Sequence, residues 1–145
     1  MRVVLQRVSG ASVSVDGKIT GEIGKGLVVL VGFGREDTEE NVEKMAQKLL
    51  KLRVFSDEND KINLSVTDVG GGLLIVSQFT LYWNCKKGTR PSFDGAMEPQ
   101  RAEELYNMFT ERMRRSGLEV GTGIFGADMQ VSLVNDGPVT VNLEI

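Results

Sequence analysis

"LVVLVGFGREDTEENVEKMAQKLL", Leu27 to Leu50, changes period midway, and that change decides the fold class. Its first part, "LVVLVGFG", is apolar at consecutive positions, as in a strand buried on both faces. From Asp37 the spacing alters. Val42, Met45, Ala46, Leu49 and Leu50 fall at i, i+3, i+4, i+7 and i+8, which puts them on one face of a helix. Asp37 is expected to cap this helix, with Glu40 three residues on, and the helix to run to about Leu52.

Working outward, Met1 to Asp16 reads as two short strands, "RVVLQRV" and "ASVSVDG". Asp16-Gly17 is a hairpin signal leading to "KITGEIG", and Gly24-Lys25-Gly26 turns the chain into the buried strand. On the other side, "SDENDKINLSVTDVGGG" is a polar loop or hairpin, "LLIVSQFTLY" a strand, and "WNCKKGTRPSFDGAMEP" a long loop. Glu98-Pro99 starts a second helix, with Ala102, Leu105, Tyr106, Phe109 and Met113 on its apolar stripe. Arg112, Arg114 and Arg115 crowd its last turn and Gly117 ends it. The remainder, from Leu118, is strand again. Within it Gly137-Pro138 interrupts two alternating runs. It is either a tight turn or a place where carbonyls approach a ligand, with a cis peptide before the proline. The expected fold is α/β: a single domain over 1–145 with mixed β-sheets, barrel-like and layered, and two long helices on one side.

With 145 residues and one cysteine, Cys85, the chain is long enough for a core and cannot form an internal disulfide or a cysteine-cluster zinc site. No signal-peptide pattern opens it, and its apolar runs fall well short of the roughly 20 residues that span a bilayer. A reduced cytoplasm is the expected location. The chain has no histidine, which removes histidine triads and histidine-ligated metals. Proton transfer must then come from a carboxylate, a lysine, water or the substrate. The formal charge of −3 argues against a broadly basic nucleic-acid binder, while leaving room for a local basic patch.

"GFGRED" and "GKGLVV" lack the remaining residues of a dinucleotide or phosphate loop and read as turns. "DENDKINLSVTD" is not a calcium loop, since Ile62 stands where glycine is needed and Asp68 where glutamate is preferred. In "SQFTLY" a two-residue period puts Ser77, Phe79 and Leu81 on one face and Gln78, Thr80 and Tyr82 on the other. The polar face is either simply solvated or a site with the Thr80 hydroxyl and backbone N–H groups. Cys85 is a nucleophile only if Lys86 or Lys87 lowers its pKa. Lys86, Lys87 and Arg90 form either a phosphate-contact loop or an ordinary solvated one.

"SQFTL" (Ser77 to Leu81) and "NDGPVT" (Asn135 to Thr140) together resemble the two signature motifs of the D-aminoacyl-tRNA deacylases, also called D-tyrosyl-tRNA deacylases. "MRVVLQRVSGASVSVDG", "KGTRPSF", "RAEELYNMF" and "FGADMQVSLVNDGPVT" look like that family in order, so the resemblance covers essentially the whole chain. Trp83-Asn84-Cys85 departs from it, standing where small and polar residues are usual. The resemblance implies hydrolysis of the ester joining a D-amino acid, or a mischarged glycine, to the terminal adenosine of tRNA, without metal or cofactor. It also implies a homodimer with the pocket at the subunit interface. Gly137-Pro138 would then be a cis pair whose carbonyls face the substrate's α-amino group.

Two fixed carbonyls can recognise an ammonium without reading the side chain, and a rigid Gly-Pro backbone would reject an L side chain by collision. The expected oxyanion hole is the backbone N–H of Phe79 and Thr80. Thr80 is the expected catalytic residue, either as nucleophile or as a guide while the ribose 2′-OH assists water. Without a base a threonine hydroxyl is a weak nucleophile, which favours the second role. Gln78 would orient the ribose or the water. Ser77, Phe125 and Met129 would line the pocket, with core packing the alternative for the last two. A non-catalytic dimeric tRNA-binding module is the competing function, and a metal hydrolase lacks histidine and cysteine ligands.

Overall fold

The computed structural model describes residues 1–86 and 88–145. Eight strands and two long helices follow in the order β1 (Arg2–Val15), β2 (Lys18–Ile23), β3 (Gly26–Gly32), α1 (Glu39–Lys51), β4 (Arg53–Ser56), β5 (Ile62–Ser65), β6 (Gly72–Ser77), α2 (Pro99–Arg114), β7 (Val120–Thr122) and β8 (Gln130–Glu144). The main sheet runs β2-β1-β3-β6-β7, with β8 also paired to β1, while β4 and β5 form a separate hairpin. β3–β6 and β6–β7 are parallel and the other pairs antiparallel, so the sheet is mixed as expected.

The two ends of that order nearly meet. A Cβ on Gly21 of β2 would sit 2.6 Å from the Thr122 nitrogen of β7, and Thr20 Oγ1 donates to Thr122 O at 3.2 Å. Only a residue without a side chain allows this approach, so Gly21 lets the sheet curl into a nearly closed barrel. One core lies between the sheet and the helices and another inside the curl. Leu27, Val29 and Val31 of β3 with Leu73 and Ile75 of β6 face the first. Val28, Leu74 and Val76 face the second, which is why both strands are continuously apolar. α1 and α2 pack side by side, with Arg112 Nε donating to Glu43 Oε2 at 2.8 Å.

Three expectations about local structure are corrected. β1 is one strand of 14 residues, not two. β8 partners it from Arg2↔Glu144 to Ser14↔Gln130, and register shifts absorb the Ser9-Gly10 break. The cap of α1 is Thr38, not Asp37: Asn41 Oδ1 accepts from the Thr38 backbone N–H and hydroxyl, both at 2.8 Å. Third, the strand expected to reach Tyr82 stops at Ser77, and Phe79–Tyr82 coil into a 3-10 turn. Its partner β3 ends at Gly32, and after Gln78 N donates to Val31 O at 2.7 Å no strand remains to extend the ladder.

Candidate active site

The 3-10 turn after β6 owes its position to two glycines and one carboxylate. A Cβ on Gly32 would lie 2.7 Å from Gln78 O, and one on Gly34 would lie 2.7 Å from the Tyr82 ring. "GFG" is thus the bare backbone against which the turn packs. Asp37, released from capping, gathers this corner. It accepts from the Gly34 N–H at 2.6 Å, the Tyr82 hydroxyl at 3.2 Å and the Met1 ammonium. Arg2 stacks 4.5 Å from the Tyr82 ring centroid and donates to Leu81 O at 3.0 Å. The Tyr82 phenol is held well above its ordinary pKa, first by burial and then by the Asp37 charge beside it.

Coiling changes what the turn offers. Gln78 and Thr80 do not stand as alternate residues of a strand. Gln78 Nε2 donates to Thr80 Oγ1 at 2.5 Å, and each fixes the other's rotamer. The turn closes through Leu81 N to Gln78 O at 3.2 Å and Trp83 N to Thr80 O at 2.9 Å. No hydrogen bond among the described residues uses the N–H of Phe79 or Thr80, as the start of a helical turn dictates.

Beside the turn lies a cavity of about 440 Å³ lined by Val76, Ser77, Gln78, Phe79, Met97, Pro99, Ala102, Phe125, Gly126, Ala127, Met129 and Val131. The chain thus brings Ser77, Gln78, Phe79, Phe125 and Met129 to one hollow. Phe125 packs on Tyr106, ring centroids 5.8 Å apart, and Met129 fits over Gly123, where a Cβ would meet its sulfur at 2.3 Å. Both residues therefore line the cavity and cover the core. Tyr106 donates to Ile75 O at 2.9 Å, and burial pushes its pKa up to about 12.

Gly137-Pro138 is a cis peptide within β8, not a hairpin turn, and neither residue lines this cavity. Gln6↔Thr140 and Val8↔Asn135 pair across β1 and β8, leaving residues 136–139 bulged opposite Arg7. Arg7, which sequence reasoning passed over, anchors the bulge. Its Nε donates to Asp136 O at 3.0 Å and its NH1 to Val54 O at 2.7 Å. Asn135 closes the base, its Oδ1 accepting from Val139 N at 3.2 Å and its Nδ2 donating to Thr140 Oγ1 at 3.1 Å. Arg7 continues the alternate row of the buried Val3 and Leu5, and a charge at that inward-facing position was the available signal. Lys86 and Arg90 are exposed on the loop after the turn, Cys85 is exposed beside them, and Lys87 lies outside the described residues. Among the described residues no three His, Cys, Asp or Glu side chains converge as metal ligands.

The family model for D-Tyr-tRNA(Tyr) deacylase matches residues 4–144. The chain belongs to the D-Tyr-tRNA(Tyr) deacylase family. It is 57% identical over 144 residues to a D-aminoacyl-tRNA deacylase of Koribacter versatilis, covering 99% of this chain and 97% of the relative. It is 54% identical to the protein of the same name from Rhodopirellula baltica, with full coverage of both (100% each). Among solved structures, a c-Myc DNA Unwinding Element Binding Protein superposes with a TM-score of 0.94 at 47% identity, covering 100% of this chain and 99% of that one. A probable eukaryotic D-amino acid tRNA deacylase shares the fold at a TM-score of 0.87 and 21% identity, covering 99% and 98%. In this D-Tyr-tRNA(Tyr) deacylase family member, "SQFTL" is the turn at the cavity and "NDGPVT" the bulge held by Arg7.

Proposed function

We propose that the protein hydrolyses the ester between a D-amino acid, or a mischarged glycine, and the terminal adenosine of tRNA. The observation that carries this reading is the cavity beside Phe79-Thr80. It is large enough for a small ligand, and two backbone N–H groups without acceptors stand at its turn. The oxygen of a water molecule attacks the ester carbonyl carbon, and the N–H groups of Phe79 and Thr80 stabilise the oxyanion, a contribution of about 3 kcal/mol per donor. As the tetrahedral intermediate collapses, the carbon–oxygen bond to the ribose breaks, the ribose oxygen takes up the proton that the attacking water has lost, and free tRNA and amino acid leave. Thr80, bonded to Gln78, guides the water while the ribose 2′-OH assists. The chain has no histidine, no carboxylate or lysine among the described residues lines the cavity, and both tyrosines keep their protons at neutral pH.

Chiral selection in this reading belongs to Gly137-Pro138. Because the pair stands outside the cavity of its own chain, a second copy delivers it: the enzyme is a homodimer and the pocket lies at the subunit interface. The exposure of ten of the 15 residues of β8 supports that partner. With amino group and ester pinned, an L side chain collides with the Gly-Pro backbone and glycine passes. Lys86, Lys87 and Arg90 meet tRNA phosphates. The chemistry uses no metal or cofactor, and it belongs in the cytoplasm, where charged tRNA is used. No helix among the described residues is long and apolar enough to cross a membrane.

The test is release of amino acid from D-, L- and glycyl-tRNA. The reading expects release from the D and glycyl substrates and a partial loss in Thr80→Ala. Binding without release would make the protein a tRNA-binding module, and a wild-type rate in Thr80→Ala would remove the residue from the chemistry.

A further inference from the structure

The stretch that departs from the family resemblance carries an aromatic group that hydrolysis alone does not use. Trp83 is 51% exposed and Phe79 60%. Phe93 sits between them, its ring centroid 4.9 Å from that of Phe79 and 5.5 Å from that of Trp83. The three rings lead from the cavity, which Phe79 lines, out along the loop.

The group is held in place. Asn84 and Ser92 exchange two backbone hydrogen bonds of 2.9 and 2.8 Å, which fix the residues next to Trp83 and Phe93. Trp83 N is tied to Thr80 O at 2.9 Å, which joins the platform to the turn at the cavity. Lys86 and Arg90, exposed on the segment that this bridge closes, enter no ion pair among the described residues. Large exposed rings cost free energy in water unless a partner covers them, and cations beside them call for an anionic partner. Flat π-faces next to backbone-tracking cations are how unpaired nucleotides are held without base-specific bonds.

We infer that Trp83, supported by Phe93 and continuous with Phe79, stacks the unpaired nucleotides that precede the terminal adenosine of the acceptor end, with Lys86 and Arg90 on their phosphates. This inference rests on the proposed aminoacyl-tRNA substrate. The residue is a binding and positioning element: it fixes the strand so that the ester reaches Phe79-Thr80, and does not touch the reacting atoms.

Trp83 is the sole tryptophan, so its fluorescence reports on this site alone. Titrating the wild-type protein with the trinucleotide CCA should quench it in a salt-sensitive way, and adenosine monophosphate should quench it far less. Trp83→Ala should weaken CCA binding, followed by calorimetry, about 5- to 150-fold, the stacking loss expected for one base. Trp83→Phe should retain most of the affinity. In deacylation, Trp83→Ala should raise KM for D-aminoacyl-tRNA with little change in kcat, and the rise should shrink with D-aminoacyl-adenosine, which lacks the preceding nucleotides. Equal quenching by the mononucleotide, or unchanged binding and KM in Trp83→Ala, overturns the platform. So does a fluorescence that follows protein concentration and ignores CCA, which would mean that a second copy covers the ring. Should the wild type hydrolyse neither substrate, the proposed function falls, while the CCA titration still judges the platform.

Discussion

Gly137→Ala tests the bulge where its geometry is tightest. Gly137 has φ +126°, a backbone region that L residues rarely adopt, and an added Cβ would lie 2.8 Å from Arg7 NH2 and 3.0 Å from Val139 Cγ2. The backbone term alone costs about 1–3 kcal/mol. The second term depends on whether Arg7 can move. Its side chain is 11% exposed and tied to Asp136 O and Val54 O, so a shift that relieves the clash sacrifices a charge-assisted hydrogen bond of about 1.5–3 kcal/mol. Losing both terms gives about 2.5–6 kcal/mol, and at about 2–4 °C of Tm per kcal/mol the transition should fall by at least about 5 °C. Urea unfolding of the wild type, Gly137→Ala, Arg7→Ala and the double variant separates the terms. If the methyl strikes Arg7, the double variant loses less than the sum of the singles by more than about 0.5 kcal/mol. Additive losses would refute the clash, and a Gly137→Ala cost below about 0.5 kcal/mol would refute the backbone argument too. Measured in parallel, an unchanged D-to-L preference would sink the assignment of chirality to this pair.

Other consequences follow from the same geometry. Gly21→Ala must push β2 from β7, since its Cβ would meet Thr122 backbone at 2.6 and 2.7 Å; it should destabilise by about 1–3 kcal/mol in urea unfolding, and a neutral result would mean that the barrel ends are not in contact. Asp37→Asn should lower both Tm and kcat, because one carboxylate holds Gly34, Tyr82 and the Met1 ammonium beside the turn; an unchanged pair of values would detach this corner from the site. Glu43 has its carboxyl held below the ordinary 4.5 by hydrogen bonds from Arg112 and then Gln47. A lowered folded pKa gives stability that is complete above the ordinary value and lost as pH falls through the folded one. Wild type should therefore exceed Glu43→Gln in Tm at pH 7, with the gap closing as pH falls below 4.5; a gap that persists in acid would exclude the ion pair as its source.

The fold was legible wherever hydrophobic period spoke. β3 and β6, apolar at consecutive positions, are covered on both faces, and the stripes Val42 to Leu49 and Ala102 to Met113 are the buried faces of α1 and α2. Asp16-Gly17 turns the first hairpin with φ values of +50° and +76°. The errors lie where a partner far along the chain decides. Ser9-Gly10 reads as a break, yet β8, entering more than a hundred residues later, carries β1 across it. "SQFTLY" alternates like a strand, but β3 runs out of residues to pair with it, and local alternation cannot reveal where a neighbouring strand ends. The cap was misplaced by one residue for a similar reason: Asp37 and Thr38 are both good caps, and the distant Tyr82 and the chain's first residue claim Asp37.

The site repeats that lesson at higher stakes. Composition excluded histidine chemistry, and the two motifs name the turn beside the cavity and the bulge in β8 that the proposed mechanism joins, yet the geometry that fixes each of them in the fold resides in residues that neither motif contains. Gly32 and Gly34 clear the ground for the turn, and Arg7 holds the bulge through two carbonyls from different elements. These residues act through absence of volume or through long-range hydrogen bonds, so a one-dimensional pattern shows only their types. The separation of the halves within one chain bears on mechanism as well. A rigid backbone wall supplied by a second copy can be withdrawn or aligned only as a unit, so rejection of an L side chain in this reading depends on how firmly each bulge is anchored in its own subunit. Arg7 then becomes a determinant of chiral selectivity without touching substrate: loosening it in Arg7→Lys should raise release from L-aminoacyl-tRNA more than it lowers release from the D substrate, and a proportional loss on both would reduce Arg7 to a purely structural part.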